Sequence, residues 1–474
     1  MNTKIHKKVK ELSKFILFLL FIPGVCVATD RYVDPVIGVD NATCDVSNPC
    51  LTLTHAVGIT NNNDVVHLQP GTYAESPINV TTDITIRGSG RNNTFIEPTN
   101  LPNRIFNISS NNMIIAKVTL QNGDVYDVGS GTFENGGAIL LNTGSLILSN
   151  VNIFNSEALA GGAVEQASSG YLFMLGTFIQ DNWASAVGGA LHCDTCGGVY
   201  TFLSGVMNNT AGSEGGAMYM VASDMVSIAS NFSRNDGDKG GALSALSSEI
   251  HLFNSQLSAN VSRNSDGGAI FGSGLGLNVQ KTTFSGNDAS NLSNGGAIAL
   301  FGSGWLAVAN STFSSNIAHA AGAIALIDNF GVGPISAIHH STFYGNTGNL
   351  LVNNISLGLS SAMDLYNSII SNGGNPFADD CSIFGAMAGG NNLIDDGTCG
   401  FVANPVNNID ATLQFNGGIT MTHALLAGSN AIDGGDNTFC TNPYSGLTLS
   451  YDQRGRFWAR NVGAACDVGS FEVQ

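Results

Sequence analysis

The sequence predicts an all-β fold, a single-stranded right-handed parallel β-helix in which the chain coils repeatedly around one axis. Three observations predict it: a Gly-Gly-Ala phrase that returns at nearly constant spacing, short apolar strands between turn formers, and an apolar residue followed three positions later by Asn. Successive copies of the first phrase lie 25 to 28 residues apart, which is the self-similarity of a solenoid. The copies begin at Gly136, Gly161, Gly188, Gly215, Gly240, Gly267, Gly295 and, in the degenerate form Ala-Gly-Ala, at Ala321.

The residues between two corners form strands rather than helices. After the corner at Gly295 come an apolar strand at 298–301, a turn at 302–304 and a second strand at 306–309. Apolar runs of this length, bounded by Gly, Ser and Asn, are typical of β-strands and too short for a helix. Coils stacked about 4.8 Å apart would place equivalent residues directly above one another.

A second phrase closes each coil, with a large apolar residue followed three positions later by Asn. We expect the apolar side chains to form an internal column. We expect each Asn to turn the chain in the left-handed region and to bond to the Asn of the next coil. Two successive glycines suit a corner where a Cβ would clash with the next coil or where φ is positive. The apolar residue and the Asn of each closing phrase are Phe232 and Asn235, Leu257 and Asn260, Phe284 and Asn287, Phe313 and Asn316, and Phe343 and Asn346.

Composition divides the chain into four regions. Residues 1–28 combine a lysine-rich start, an apolar centre and a small-residue exit, which is the pattern of a secretory signal peptide. Residues 29–75 are predicted to cap the first coil, with a short helix at 51–58 that covers the open end. The β-helix is predicted over 76–370, and a change of composition assigns 371–474 to a C-terminal capping domain.

The chain is acidic, with a formal net charge of −18. Because the predicted signal peptide carries five lysines and one glutamate, the exported chain is more acidic still. This balance argues against nucleic acid and anionic membranes as partners. The apolar run of the signal peptide is too short for a membrane span, so none is expected after cleavage. We expect a secreted, extracellular or cell-surface protein that is a monomer.

Eight cysteines follow the predicted signal peptide and fall into local pairs. An even number of cysteines in an exported chain indicates disulfides. The Cys193–Cys196 spacing also occurs in redox and zinc motifs, but no second such pair accompanies it, so we expect a structural disulfide. The pairs are Cys44 with Cys50, Cys193 with Cys196, Cys381 with Cys399, and Cys440 with Cys466.

Several of these phrases resemble known families. The Pro-Gly-Thr-Tyr run at 70–73, followed by Ile-Thr-Ile-Arg-Gly at 84–88, resembles the opening of pectin-lyase-like right-handed β-helix proteins. The Gly-Gly-Ala and Phe-x-x-Asn phrases are similar to the repeats of chlamydial polymorphic outer membrane proteins. Residues 410–474 resemble the C-terminal domain of bacterial choice-of-anchor β-helix proteins, with Asp-Gln-Arg-Gly at 452–455. The resemblance implies an exported bacterial surface or extracellular protein and does not imply one activity.

Stacking of the coils places charged residues in one column. Glu214, Lys239 and Asp266 each stand just before a Gly-Gly-Ala corner, and Asp236 and Asp238 lie beside them. Carboxylates two coils apart would be about 9.6 Å from each other, close to the upper limit for an inverting glycosidase. Glu214, Lys239 and Asp266 are therefore the candidate catalytic residues. An acid–base ladder on a solvated edge is the competing interpretation.

The resemblance to β-helix lyases implies that carboxylates on one face hold calcium while an Arg or Lys accepts a proton. Calcium prefers several oxygen ligands, so Asp236 and Asp238 are its candidate ligands. No other cofactor is expected. Arg234 and Arg263 are further candidates for the base, although both also suit an exposed surface.

Three functions are open at this point. The first is an adhesin-like protein that binds a polysaccharide or a cell-surface ligand along the solenoid side. The second is a polysaccharide lyase or glycoside hydrolase acting on acidic polysaccharide, and the third is a structural spacer. A glycan cleft usually carries aromatic platforms, whereas Trp183 and Trp305 lie two or more coils apart. That scarcity favours the adhesin-like protein.

Overall fold

The computed structural model describes residues 28–75, 77–127, 129, 131–349, 352–371 and 379–474. Within these residues the chain forms about 11 turns of a right-handed parallel β-solenoid, as the sequence predicts. Four parallel sheets run along its sides, and the apolar core fills the space between them. All but the last residue of the predicted signal peptide lies outside the described residues.

No helix in the described part of the chain is long and apolar enough to cross a membrane.

A complete coil visits the four sheets in a fixed order, which we call A, B, C and D. In the described residues, sheet A has 12 strands: Ile78–Val80, Phe106–Ile108, Ile139–Leu141, Val164–Gln166, Leu191–Asp194, Met218–Val221, Leu243–Leu246, Ile270–Ser273, Ile298–Phe301, Ile324–Ile327, Val352–Leu357 and Asp379–Ile383. Sheet B has 14 strands over the same part of the chain: Asp30–Val33, Val65–Leu68, Thr85–Gly88, Asn112–Ala116, Ser145–Ser149, Tyr171–Leu175, Gly198–Phe202, Asp224–Ile228, Glu249–Phe253, Gly276–Gln280, Trp305–Ala309, Ile335–His339, Ala362–Tyr366 and Ala386–Gly390.

The other two sheets complete each coil. Over the described ranges, sheet C has 13 strands: Gly71–Ala74, Thr94–Glu97, Thr119–Gln121, Asn152–Phe154, Phe178–Gln180, Gly205–Met207, Asn231–Ser233, Gln256–Ser258, Thr283–Ser285, Thr312–Ser314, Thr342–Tyr344, Ile369–Ser371 and Leu393–Ile394. Sheet D, counted in the same ranges, has eight strands: Glu157–Ala160, Trp183–Val187, Thr210–Ala211, Asp236–Gly237, Val261–Ser262, Asp288–Asn294, Ile317–Ala320 and Thr347–Gly348. An antiparallel hairpin joins Tyr126–Asp127 to Thr132–Phe133, and a 3₁₀ helix spans Asn437–Phe439.

The helix Leu53–Gly58 packs on the first coil, within the segment where the sequence predicts one. The Thr52 side chain caps it by accepting a hydrogen bond from the His55 amide, which satisfies one of its unpaired N–H groups. Leu53 and Val57 are buried against the first strands, and they cover the apolar core that an open solenoid end would expose.

The Gly-Gly-Ala corners have the geometry that the sequence predicts. The first glycine of each full copy has a φ between +58° and +76°, and Ala321 of the degenerate copy has a φ of +56°. The second glycine lies so close to the next coil that a Cβ on Gly162 would stand 2.2 Å from the carbonyl oxygen of Gly189. The corner therefore needs glycine for two different reasons, one conformational and one steric.

The closing phrase forms two columns inside the solenoid. Phe284, Phe313 and Phe343 are fully buried, with ring centroids 4.8 and 4.7 Å apart and nearly parallel planes, which confirms the apolar column. Each Asn amide donates to the Oδ1 of the next Asn at 2.8 to 3.1 Å, which confirms the predicted ladder. Its members are Asn182, Asn209, Asn235, Asn260, Asn287, Asn316 and Asn346.

One detail of the ladder prediction is wrong. The left-handed turn is made by the residue before each Asn, such as Arg234 and Ser315, each with a φ of +55°. The Asn side chain has to point inward to reach both the next Asn and a carbonyl of the preceding coil. The exposed residue before it therefore makes the turn.

The C-terminal region lies along the side of the solenoid. Strands between 379 and 394 add a further coil to sheets A, B and C, so the solenoid extends past the predicted boundary at 370. Phe401 packs against the end of the core, and the chain then returns over sheet C. Thr283 Oγ1 donates to the Met421 carbonyl at 2.7 Å, and Thr312 Oγ1 donates to Gln453 Oε1 at 2.6 Å.

The four predicted disulfides are present. They join Cys44 to Cys50, Cys193 to Cys196, Cys381 to Cys399 and Cys440 to Cys466. The last of them holds together two parts of the returning C-terminal segment.

Candidate functional site

The predicted column of Glu214, Lys239 and Asp266 exists in the backbone. The amide of Gly215 donates to the Lys239 carbonyl at 2.9 Å, and that of Gly240 donates to the Asp266 carbonyl at 3.2 Å. The side chains, however, have different partners. Lys239 Nζ lies 3.1 Å from Glu214 Oε1 and 4.7 Å from the ring centroid of Phe271.

The third member of this column turns away from the other two. Asp266 Oδ1 accepts hydrogen bonds from the backbone amide and the side-chain amide of Asn294, at 2.8 and 2.9 Å. The structure therefore brings Glu214 and Lys239 together as an ion pair and directs Asp266 to the next coil. This arrangement is that of a ladder of neighbouring contacts along an edge.

The candidate calcium ligands surround an arginine. Arg263 Nε lies 2.9 Å from Asp238 Oδ1 and 3.3 Å from Asp236 Oδ1. Burial raises the pKa of Asp236, and the Arg263 charge opposes that rise. The guanidinium thus supplies the positive charge at this position, and Arg234 is exposed on the neighbouring corner.

An aromatic cluster lies on the outer face of sheet B. The first, third and fifth residues of its five-residue strands point outward, as the alternating burial of Asp224–Ile228 shows. Tyr171, Phe173 and Tyr200 meet there, with the Phe173 and Tyr200 rings stacked at 4.9 Å and Tyr171 6.0 Å from Tyr200. Burial, with Tyr171 and Asp224 nearby, raises the pKa of Tyr200 to about 12.

A second aromatic pair lies further along the same face. Trp305 stacks against Tyr444 of the returning C-terminal segment, with ring centroids 5.1 Å apart. Tyr444 stands over sheet B and forms one wall of a cavity of about 400 Å³. The other side chains at this cavity are mostly apolar, with one exposed carboxylate, and include Ile335, Ala337, Met363, Asp364 and Pro443.

Two carboxylates lie between these aromatic groups. Asp224 and Glu249 are direct partners on adjacent strands of sheet B, so their backbones are about 4.8 Å apart. The hydroxyl of Tyr444 donates to Glu249 Oε1 at 3.4 Å, and burial together with this carboxylate raises the pKa of Tyr444 to about 12. Asp224 lies on the coil after that of Tyr200, and Trp305 lies two coils beyond Glu249.

A buried histidine supports the carboxylates. His251 is 3 % exposed, and its Nδ1 lies 3.2 Å from the amide nitrogen of Asn278. Because the amide nitrogen donates, Nδ1 accepts and Nε2 carries the ring proton. Nε2 lies 3.3 Å from Glu249 Oε1, in an orientation too poor for a hydrogen bond. Glu249 thus accepts a hydrogen bond from Tyr444 and has the His251 ring beside it.

Sequence reasoning missed this face. Trp183, which the sequence places two or more coils from Trp305, lies on sheet D against Tyr126, with ring centroids 4.9 Å apart. The available signal was the recurrence of Tyr171, Phe173 and Tyr200 at outward positions of successive strands in one sheet. Tyr444 carried no such signal, because it belongs to a segment outside the repeats.

No protein-family model matches the sequence, and no curated protein matches it. Similar solved structures include XylC in complex with xylose, with 10% identity, a TM-score of 0.49 and coverage of 94% of this chain and 98% of that one. A PL6 alginate lyase in complex with a trisaccharide has 11% identity, a TM-score of 0.47 and coverage of 83% and 91%. The GH136 lacto-N-biosidase from Eubacterium ramulus has 10% identity, a TM-score of 0.48 and coverage of 77% and 68%.

At these identities and TM-scores the likenesses carry no argument about activity. The strand register by itself makes this protein an all-β parallel solenoid.

Proposed function

We propose that this protein acts on carbohydrate, binding a glycan along the outer face of sheet B and hydrolysing it at Asp224 and Glu249. One observation carries the proposal: two carboxylates lie in register on adjacent coils, with aromatic side chains on the same face to either side. A glycan lying along the solenoid axis would cross all of these groups in turn.

The aromatic groups suit sugar rings. Tyr and Trp present a flat apolar surface with a polar tip, which matches the mixed character of a pyranose. A binding cleft also needs a few polar groups that fix orientation, and the carboxylates supply them. The returning segment turns this part of the face into a groove, because Tyr444 and Pro443 form a wall above the strands.

The spacing of the strands that carry the carboxylates is compatible with hydrolysis with retention of configuration. Retaining glycosidases hold their two carboxyl groups about 5–5.5 Å apart, and adjacent coils are separated by nearly this distance. Glu249, oriented by the hydrogen bond from Tyr444, would attack the anomeric carbon and form a glycosyl–enzyme ester. Asp224 would protonate the departing glycosidic oxygen and then take a proton from the water that releases the sugar.

Export and surface location belong to the same proposal. Four disulfides among the described residues support folding in an oxidising compartment, where an exported protein matures. Attachment to a cell surface rests on the family resemblance, and an adhesin-like role rests on the scarcity of aromatic residues in the sequence; both stay proposals. A calcium ion at Asp236 and Asp238 likewise stays a proposal.

The test is an assay of the purified protein against neutral, amino and acidic oligosaccharides, scored by new reducing ends. We expect Asp224→Asn and Glu249→Gln each to lower kcat by about 10²–10⁴-fold, the usual contribution of a positioned acid or base. Asp181→Asn is the control, since Asp181 is exposed on the corner between sheets C and D. It should keep full activity.

Asp266→Asn separates this site from the predicted column. The variant retains the Oδ1 that Asn294 binds and should keep full activity. Loss of activity in Asp266→Asn, with retention in both sheet B variants, would place the chemistry in the column. Binding without new reducing ends would make the face a lectin-like surface, and failure to bind any glycan would refute the proposal.

A further inference from the structure

We infer that the glycan carries protonated amino groups and that the pocket formed by Trp305, Tyr444 and Asp364 binds one of them. This inference rests on the proposed function, because it names the substrate class of the same face. It departs from the acidic polysaccharide that the sequence suggested for an enzyme.

The pocket has the chemistry of an ammonium site. Trp305 and Tyr444 present stacked aromatic rings, and the faces of such rings attract cations through their quadrupole. Asp364 is exposed on the strand Ala362–Tyr366 and lines the same cavity of about 400 Å³. A carboxylate that accepts from an ammonium group forms a charge-assisted hydrogen bond, which is stronger than one between neutral groups.

The charges along the groove oppose an acidic ligand. The described strands of sheet B from Tyr171–Leu175 to Ala362–Tyr366 contain Asp224, Glu249 and Asp364 and neither lysine nor arginine. A uronate polymer would place one carboxylate per sugar against this row, whereas an amino-sugar polymer would place cations there. Complementary charge also raises the rate of encounter, and the whole chain has a net charge of −18.

A lysine next to one of these strands is engaged in another contact. Lys281 follows Gly276–Gln280 on the corner toward sheet C, and its ammonium lies 5.3 Å from the ring centroid of Tyr451. Burial lowers the pKa of Lys281, with the nearby Asp452 opposing the shift. Its charge therefore serves the contact with the C-terminal segment and does not balance the groove.

A buried histidine on the same sheet has a donor that forms no hydrogen bond. His251 is 3 % exposed, and its Nε2 forms no hydrogen bond among the described residues, although Glu249 Oε1 lies 3.3 Å away. Buried polar groups are nearly always hydrogen-bonded, so a buried donor that forms no hydrogen bond can take an acceptor supplied by a ligand. The ring lies 5.7 Å from that of Tyr444 and can donate to a sugar hydroxyl bound between Glu249 and the tyrosine.

The experiment compares three hexasaccharides by calorimetry: β-1,4-linked glucosamine, its fully N-acetylated form and oligogalacturonate. At pH 6, with Glu249→Gln as the protein so that the probes are not cleaved, we expect the glucosamine hexamer to bind at least about fivefold tighter than the acetylated one, as one partly exposed ion pair allows. The oligogalacturonate should bind most weakly. The advantage of the free amine should shrink as salt is added.

Asp364→Asn tests the assigned residue. It should remove the preference for the amine and leave the affinity for the acetylated hexamer unchanged, while Asp181→Asn keeps both. Equal affinities for the two glucosamine polymers would overturn this inference and leave the proposed function standing. Tighter binding of oligolysine than of the glucosamine hexamer would overturn the assignment to a glycan, and failure of every sugar to bind would overturn the proposed function itself.

Discussion

At the scale of single residues, the buried asparagine ladder ends on a carboxyl group. Asn346 donates to Asn354, and Asn354 donates to Asp380 Oδ1 at 3.0 Å. Burial, with Asp396 and Asp395 nearby, raises the pKa of Asp380 to about 7. A column of neutral amides thus finishes on a group that changes its charge near neutral pH.

This arrangement predicts how stability depends on pH. The pKa of Asp380 is higher in the folded protein than its usual value of 3.8, so the folded state binds the proton more tightly. The stability that protonation contributes is complete below pH 4 and is lost as the pH rises toward 7. We expect Asp380→Asn to match the wild type in melting temperature at pH 4 and to exceed it at pH 8. A variant that is equally or less stable at pH 8 would contradict this, and Asp181→Asn is the exposed control.

At the scale of the coil, the backbone of the next coil leaves no room for a side chain at the second glycine of each corner. A Cβ on Gly162 would lie 2.2 Å from the carbonyl oxygen of Gly189, which is backbone and cannot move aside. We expect Gly162→Ala to lower the free energy of unfolding by about 3 kcal/mol, at the upper end for overpacking. Denaturant unfolding measures the change.

The control for this prediction is a glycine with room around it. A Cβ on Gly58, at the end of the N-terminal helix, would meet nothing within 4 Å, so Gly58→Ala should be neutral or slightly stabilising. Equal costs at the two positions would mean that contact between coils does not set the need for glycine.

Most of the coil could be predicted from the sequence, because one repeated phrase fixes one geometry. Apolar residues such as Phe313 and amides such as Asn316 recur at fixed offsets from the corner, so their stacking follows from the spacing alone. The candidate site could not be predicted in this way. Trp305 meets Tyr444 across 139 residues of sequence, and no repeat relates the two positions.

At the scale of the whole molecule, the returning C-terminal segment builds the groove. It carries Tyr444 and is closed on itself by the disulfide between Cys440 and Cys466. It is also fixed to the solenoid by buried contacts, such as the one between His339 Nδ1 and the Thr441 carbonyl at 2.9 Å. The solenoid supplies the floor of the site, and this segment supplies one wall.

Removing that disulfide should therefore weaken ligand binding more than it weakens the fold. We expect Cys440→Ser/Cys466→Ser to lower the stability of the folded C-terminal segment by up to about 3 kcal/mol, as for a disulfide that closes a loop of this length. Affinity for the glucosamine hexamer should fall, while the far-ultraviolet circular dichroism stays that of a β-solenoid. Cys44→Ser/Cys50→Ser, at the other end of the chain, is the matched control. Unchanged affinity in the first variant would show that Tyr444 does not form part of the site.

The path of this segment also restricts how the protein can grow during evolution. A solenoid lengthens when one coil is duplicated. Duplication among the coils before Asp224 would extend the outer face of sheet B without disturbing the contacts of the returning segment. Between Glu249 and Thr342 the returning segment contacts several coils at once, so one extra turn there would shift each of those contacts by about 4.8 Å. The returning segment therefore fixes the number of coils between Glu249 and Thr342. Homologues are expected to vary in length on the N-terminal side of the carboxylates.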